Sequence, residues 1–317
     1  MAYLFVFLSL LCGNIKGICG KKTSTFVQRV DDALIFSTMR MAICVVIGFL
    51  MFISDTPDWQ NVQVEGGMMA ICVFAGIANA MFIICWMLAV RKTAMVTMDV
   101  ALTVGSLIPA VLCAFMFGEE ISWQKMIGFA FILLAVIVLS SYNKTAKGKM
   151  TVGAILLVVA SAVGEGLSSF SQQLYKHYYT AEGLCYTGVE YTKTLYHFYT
   201  YVYVAVTLVF ALAIYHLAHQ KRPAEKSGFA TGNPKDLIKP FIYIAIMAAC
   251  LFGASYFQTV ATNDYAMPSQ ILYPILKGGA LILTAVTAMI FFGEKITKRS
   301  VLGIILAIIG TVAMNIL

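Results

Sequence analysis

Long apolar runs separated by short polar segments extend along the whole chain. Ten runs can be marked, and they cover roughly residues 2–19, 33–53, 67–90, 93–117, 123–141, 150–174, 197–218, 240–262, 266–292 and 299–317. A helix needs about 20 mostly apolar residues to cross a bilayer, and most of the runs are close to that length. None alternates between apolar and polar residues as a transmembrane strand does. The pattern predicts an all-α integral membrane protein with about ten transmembrane helices.

Composition and charge agree with this prediction. Of the 317 residues, 60% are apolar and 12% are charged, whereas soluble domains are about half apolar and a quarter charged. The net charge of +7 lies in short clusters between apolar runs, as in loops that flank membrane spans. We therefore expect the lipid bilayer, and not nucleic acid, as the partner of this surface. No cysteine or histidine pattern indicates a metal, no cofactor is expected, and no motif indicates an enzyme.

The distribution of basic residues predicts an orientation. The odd-numbered loops carry 17 lysines and arginines, whereas the alternate loops carry Lys125, Lys176 and Lys193. Because basic loops stay in the cytoplasm, both termini are expected outside. The first run lacks a basic start and a cleavage site, so we interpret it as a retained helix. The short chain without a transit peptide favours the plasma (inner) membrane of a prokaryote, with a multi-pass arrangement.

The chain also repeats itself. Residues 118–140 align with residues 293–315 at an offset of 175, and the aligned pairs place Gly118, Glu119, Ile121 and Gly128 over Gly293, Glu294, Ile296 and Gly303. The offset extends back through predicted helices 3 and 4 against 8 and 9. Residues 1–147 and 148–317 are therefore predicted to form two halves of five helices. Since five is odd, the halves enter the membrane in opposite directions, which defines an inverted repeat.

These duplicated halves, each with a Gly-Glu turn before its last helix and a glycine inside that helix, resemble the EamA-type repeat of the drug/metabolite transporter (DMT) superfamily. The resemblance implies a secondary transporter with a substrate cavity between the first four helices of each half. It also implies that the last helix of each half is peripheral and often contacts a partner. A homodimer is therefore one expected possibility. Many ten-helix members keep their termini in the cytoplasm, and the charge distribution here predicts the opposite. Because the superfamily transports amino acids, sugars, nucleotide-linked compounds and drugs, the resemblance does not name the solute.

Charged residues inside the apolar runs are candidates for transport, because a charge within the bilayer costs several kcal/mol. Lys277 lies about eleven residues into predicted helix 9, near the midplane, beside Pro274, Gly278 and Gly279. A proline and two glycines weaken a helix, so we expect a break or kink there. The lysine could hold a carboxylate or a phosphate of the solute, or it could form a structural ion pair.

Glu165 lies about fifteen residues into predicted helix 6, between Gly164 and Gly166. The glycines would let backbone or ligand approach closely. The carboxylate could carry the coupling proton, or it could neutralise Lys277 or Lys16.

Three further charges are weaker candidates. Asp99 aligns with Pro274 across the repeat and could pair with Lys277. Arg40, about seven residues into predicted helix 2, is shallow enough to extend its guanidinium to the interface. Lys16 follows Asn14 near the inner end of helix 1 and could be only a loop charge. The polar candidates, which helix–helix hydrogen bonding explains equally well, are Asn14, Asn79, Gln172, Gln173, Tyr256, Gln258 and Tyr273.

Tyrosines concentrate between the two halves, with nine of the sixteen in residues 175–203. An aromatic belt at the membrane interface explains them. The alternative is an external lid or a stacking surface for an aromatic or sugar solute.

Together these features predict a secondary active transporter, working as an exporter, for a small polar organic solute. Buried cations outnumber buried acids, which favours an amino acid or another anionic or zwitterionic metabolite. Alternating access with proton coupling is the expected mechanism. The alternatives from the same superfamily are a multidrug exporter of cations and a lipid-linked sugar flippase.

Overall fold

A computed structural model describes most of the chain. It covers residues 1–27, 29–105, 107–118, 123, 126–128, 130–131, 133–135, 137–138, 151–181, 183–219, 234–263, 265, 269–293 and 297–316. Throughout these residues the regular structure is helical and contains no strand. The prediction of an all-α protein is thus confirmed for this part of the chain.

The helices follow the apolar runs closely. They are α1 (Ala2–Thr23), α2 (Val30–Asp55), α3 (Gly66–Lys92), α4 (Met95–Gly105), α5 (Leu107–Phe117), α6 (Val152–Tyr179), α7 (Lys193–His219), α8 (Pro234–Asn263), α9 (Ser269–Phe292) and α10 (Lys298–Ile316). A short 3₁₀ helix, Trp59–Asn61, lies between α2 and α3. The fourth predicted span corresponds to α4 and α5, on either side of residue 106. The described residues of the fifth predicted span, between 123 and 138, are helical.

Six of these helices are long and apolar enough to cross a membrane. The candidate spans are Ala2–Thr23, Val30–Asp55, Gly66–Lys92, Val152–Tyr179, Lys193–Ala218 and Ile238–Gln258. Shorter apolar stretches occur at Met126–Ala135, Gly278–Phe292 and Val301–Gly310. The chain is therefore a helical protein of the kind that is embedded in a membrane.

The strongest helix contacts join the first part of the chain to the second. Helix α1 packs on α8 and α9, α2 on α7 and α8, α3 on α6 and α7, and α4 on α6 and α9. Each contact buries apolar side chains; one cluster, for example, joins Met41 of α2 and Ile83 of α3 to Val204 of α7 and Phe252 of α8. The bundle thus interleaves helices from distant parts of the sequence.

Helix α3 runs from one end of this bundle to the other. At its start, the amide of Glu65 donates to the hydroxyl of Tyr191 in the α6–α7 connection (2.9 Å). At its end, Arg91 Nη1 donates to the carbonyl oxygen of Val27 in the α1–α2 connection (3.1 Å). A helix of 27 residues is about 40 Å long at 1.5 Å per residue. The two connections therefore lie at opposite ends of the molecule.

Two helices end in the same way at positions that the repeat aligns. Helix α5 ends at Phe117 and α9 at Phe292. The next residues, Gly118 and Gly293, have φ angles of +68° and +61°. This left-handed conformation at the end of a helix is where glycine is favoured, because it has no Cβ to clash with the carbonyl.

Candidate functional site

Arg40 lies on α2 and points into the bundle. Because α2 begins at Val30, about ten residues precede Arg40, which is roughly 15 Å along the helix. Its side chain is only 4% exposed. Arg40 is therefore packed among the helices, and the expectation that its guanidinium extends to the interface is not met.

Two buried polar atoms on residues one turn apart in α2 have no hydrogen-bond partner. They are Nε of Arg40 and Oγ of Ser37, and Ser37 is 0% exposed. Residues three apart on a helix lie on the same side, so both groups face the same part of the interior. Buried polar groups in native proteins are nearly always paired. Both donors are therefore available to a polar group that reaches this part of the interior.

The sequence analysis did not single out Ser37. Serine is frequent in membrane helices, where its hydroxyl often bonds to the helix itself. The signal that could have identified it is its position one turn before an arginine within an apolar run.

The surroundings of Arg40 come from three other helices. The thiol of Cys44, one turn further along α2, donates to the carbonyl oxygen of Ala248 on α8 (3.7 Å). Tyr201 of α7 is buried and lies within electrostatic range of both Arg40 and Cys44. Lys16 of α1 is half-buried and lies within electrostatic range of the same Cys44 thiol. Arg40 and Lys16 thus bring two cations to the junction of α1, α2, α7 and α8.

Several of the other predicted polar candidates are half-buried, and Asn14 makes a hydrogen bond between two helices. Asn14 Nδ2 of α1 donates to Thr287 Oγ1 of α9 at 3.5 Å. Asn79 and Gln258 are half-buried on α3 and α8. Asp99 is half-buried on α4, and its backbone carbonyl accepts a hydrogen bond from Thr103 Oγ1 (3.0 Å).

Glu165 is half-buried on α6, with its Oε2 atom fully buried. The flanking glycines have a structural explanation. A Cβ on Gly164 would come within 2.7 Å of the backbone nitrogen of Phe82 on α3. A Cβ on Gly166 would clash with the backbone carbonyl oxygen of Gly105 at the end of α4. The sequence left open whether backbone or a ligand approaches these glycines. The structure supports close approach of backbone.

The region around Lys277 is described only in part. Helix α9 continues through Pro274, Gly278 and Gly279, so these residues do not end the helix, and a kink there stays a prediction. The side chains of Tyr273, Pro274 and Lys277 lie outside the described residues. Gly279 packs against Leu10 of α1, where an added Cβ would lie 2.8 Å from Leu10 Cδ1.

The tyrosine-rich segment forms a packed cap at the opposite end from Arg91. Tyr175, Tyr179, Tyr191, Tyr196 and Tyr201 are buried. Among them, Tyr175 OH donates to the carbonyl oxygen of Tyr191 (2.7 Å), and the rings of Tyr175 and Tyr196 stack with centroids 4.7 Å apart. An interfacial belt would face lipid, so the expectation of a belt is wrong for these five residues. Tyr186 is 41% exposed.

No protein-family model matches the chain, and no curated protein matches its sequence. Among solved structures, 25 chains match. One, described as "Crystal structure of protein", shares 13% sequence identity with a TM-score of 0.51 over 98% of this chain and 95% of its own. A likeness at this identity concerns the fold alone. Nearly the whole chain therefore adopts an arrangement that also occurs in a solved protein.

Proposed function

We propose that this chain is a secondary active transporter of the drug/metabolite type that exports a small organic solute with an anionic group, such as an amino acid. The observation that carries the proposal is the buried pair of unsatisfied donors, Arg40 Nε and Ser37 Oγ, on α2. Burying a polar donor without a hydrogen-bond partner is costly. A carboxylate or phosphate that entered from one side of the membrane would satisfy both donors.

The pattern of helix contacts supports an inverted repeat. The offset of 175 aligns α3 with α8 and α4 with α9. In chain order, α6 and α7 then correspond to α1 and α2. The contact between α1 and α8 then corresponds to the contact between α6 and α3. In the same way, the contact between α2 and α8 corresponds to that between α7 and α3, and the contact between α1 and α9 corresponds to that between α6 and α4. The matching φ angles at Gly118 and Gly293 point the same way. A twofold relation between halves allows a central site to open to either side.

The site proposed for the solute lies where the two halves meet. Arg40 is on α2 of the first half, and α2 packs on α7 and α8 of the second. An arginine fork binds a carboxylate through two parallel hydrogen bonds, and the serine hydroxyl and Lys16 would complete the recognition of the anion. Movement of one half against the other would then expose the bound solute alternately.

Glu165 is the residue we assign to proton coupling. It lies on α6 between Gly164 and Gly166, where the backbone of α6 packs closely on the backbones of α3 and α4. A carboxylate in this position can exchange a proton as the helices move relative to one another. Lys277, Asp99, Asn79, Tyr273 and Gln258 remain candidates for further solute contacts.

Binding of solutes to the purified protein tests the proposal. A ligand that binds the folded state raises its melting temperature, so wild type and variants would be melted with amino acids, organic acids, sugars, nucleotide sugars and lipophilic cations. We expect an anionic or zwitterionic solute to stabilise the wild type. Arg40→Gln should weaken its binding by at least roughly 30-fold, because removing one partner of a buried charge pair costs about 2 kcal/mol or more. Ser37→Ala should weaken it less.

The matched control is Lys298→Gln, which removes a cation at an exposed position on α10 and should bind the solute as the wild type does. If only lipophilic cations stabilise the protein, the multidrug exporter replaces this proposal. If Arg40→Gln binds the anionic solute as tightly as the wild type, Arg40 is structural and the proposed site is wrong.

Coupling is tested in proteoliposomes loaded with the solute identified above. In proteoliposomes that contain the wild-type protein, an imposed pH gradient should accelerate the efflux of the solute. Glu165→Gln should lose this acceleration and keep the exchange of labelled for unlabelled solute, since exchange requires no net proton movement. Equal acceleration in both proteins would assign the proton to another group.

A further inference from the structure

A second site lies at the end of the bundle where the α1–α2 connection meets the end of α3 and the start of α6. It is a pocket of about 420 Å³, within the range of about 300–1,000 Å³ that is usual for ligand pockets. The residues that line it are Val27, Arg29, Val30, Met87, Leu88, Arg91, Lys92, Gly153 and Leu157. Val30 begins α2 and Arg40 lies about ten residues further on, so roughly 15 Å of helix separates the pocket from the proposed solute site.

The polar part of this pocket is cationic. Its charged lining residues are Arg29, Arg91 and Lys92, and the last two are exposed. Asp31 partly neutralises Arg29 across an Nε–Oδ1 distance of 3.5 Å, and Arg91 is oriented by its hydrogen bond to Val27. Asp32 adds a second negative charge beside Arg29, whose amide donates to Asp32 Oδ2 at 3.1 Å. A positive charge of about one therefore remains, which suits a phosphate group.

The start of α6 adds to this preference. The N-cap residue Thr151 accepts a hydrogen bond from the amide of Ala154 (3.3 Å), and Gly153 of the same first turn lines the pocket. The amino end of a helix carries partial positive charge and attracts anions. A Cβ on Gly153 would meet no atom within 4 Å, so the space beside this turn is open.

The rest of the pocket is apolar, and α6 carries exposed apolar side chains next in sequence to those that line it. Val27, Val30, Met87, Leu88 and Leu157 form the apolar wall of the pocket. From the same end of α6, a stripe of exposed apolar side chains extends toward the middle of the helix, at helical spacing, through Val152, Leu156, Val159 and Val163. A phosphate on its own would leave this stripe unused, whereas acyl chains would cover it.

We infer that this pocket binds the phosphate headgroup of an anionic phospholipid, with Arg91, Lys92 and the first turn of α6 on the headgroup and an acyl chain along the α6 stripe. Basic pockets between membrane helices are suited to such headgroups. The charge distribution of the loops predicts that the pocket faces the cytoplasmic leaflet. The inference is independent of the transported solute.

Native mass spectrometry of the detergent-solubilised protein, with equal amounts of phosphatidylglycerol and phosphatidylcholine, tests the inference. We expect the wild type to retain phosphatidylglycerol selectively. The double variant Arg91→Gln/Lys92→Gln should lower the bound ratio of the two lipids by roughly 30-fold, since each basic residue contributes about 1 kcal/mol. Gly153→Phe should lower the ratio as well, because it fills the pocket and leaves every charge in place.

Matched controls separate the pocket from general effects. Lys176→Gln removes an exposed cation at the other end of α6. Gly66→Phe places the same bulky side chain in the first turn of α3, where a Cβ also meets no atom within 4 Å. Both should keep the wild-type ratio. Because the ratio is internal to each sample, a change in stability alone does not alter it.

Two results would overturn the inference. One is an unchanged lipid ratio in both Arg91→Gln/Lys92→Gln and Gly153→Phe. The other is displacement of the lipid by millimolar glycerol phosphate, a headgroup without acyl chains, which would assign the pocket to a soluble phosphate compound. Persistence of the bound lipid in glycerol phosphate supports the lipid assignment.

Discussion

Lys21 Nζ donates a hydrogen bond of 2.7 Å to the carbonyl oxygen of Thr93. The same ammonium also donates to the carbonyl oxygen of Val90, so the last residue but two of α1 caps the end of α3. Lys21 is 7% exposed, and Thr93 and Val90 are 0% exposed. A lysine that the loop count places among the cytoplasmic charges thus holds two helices together from inside the bundle.

Replacing Lys21 by methionine should destabilise the protein by about 2–3 kcal/mol, because two buried carbonyl groups would lose a charged donor. Thermal unfolding in detergent measures the change. The control is Lys22→Met at the next position. Lys22 lies 5.3 Å from the ring centroid of Phe291, and a cation–π contact contributes about 0.5–1 kcal/mol at a partly exposed site. Equal losses in the two variants would contradict a special role for Lys21.

The sequence predicted the positions of the helices well and the burial of individual side chains less well. Apolar runs determine where helices form, because backbone groups must be paired inside a bilayer. They do not determine which face of a helix turns toward its neighbours, and the packing of α2 places Arg40 inside the bundle. Nor does a glycine reveal what approaches it. At Gly164 the neighbour is the backbone of Phe82, which depends on how α3 and α6 cross and has no local signal in the sequence.

Gly164→Ala should therefore destabilise the protein. The new Cβ would lie 2.7 Å from the nitrogen of Phe82 and 2.9 Å from the carbonyl oxygen of Ala78. Backbone atoms cannot move aside as a side chain can, so we expect a loss of about 1–3 kcal/mol, typical of an overpacked core. The comparison is Gly13→Ala on α1, where a Cβ meets nothing within 4 Å. That variant should be neutral or slightly stabilising, because alanine favours a helix over glycine.

Tyr191→Phe should loosen the connection between α2 and α3. The hydroxyl of Tyr191 donates to the carbonyl oxygen of Gln63 (3.1 Å) and accepts from the amide of Glu65 (2.9 Å). Without it, both backbone groups become hydrated, at a cost of about 1 kcal/mol. Hydrogen exchange in residues 56–65 should become faster by roughly fivefold, as expected for this energy. Tyr186→Phe, at a position that is 41% exposed, should leave exchange in this segment unchanged.

The orientation in the membrane can be tested through Cys185. All eight cysteines are free, and Cys185 is exposed, whereas the other seven are buried or half-buried. It lies in the α6–α7 connection, which the charge distribution predicts to be outside, at the opposite end of α3 from Lys92. A membrane-impermeant maleimide should therefore label the wild type in intact cells, and Cys185→Ser should abolish the labelling.

The complementary variant Lys92→Cys, made in the Cys185→Ser background, should react only after the cells are permeabilised. Lys92 is exposed at the end of α3, so the protein itself does not shield this position. Its labelling then depends only on whether the reagent reaches the cytoplasm. The reverse pattern, with Lys92→Cys labelled in intact cells and Cys185 protected, would invert the orientation and place both termini in the cytoplasm. It would also move the basic pocket to the outer leaflet. Labelling of both positions from one side would contradict a membrane-spanning α3.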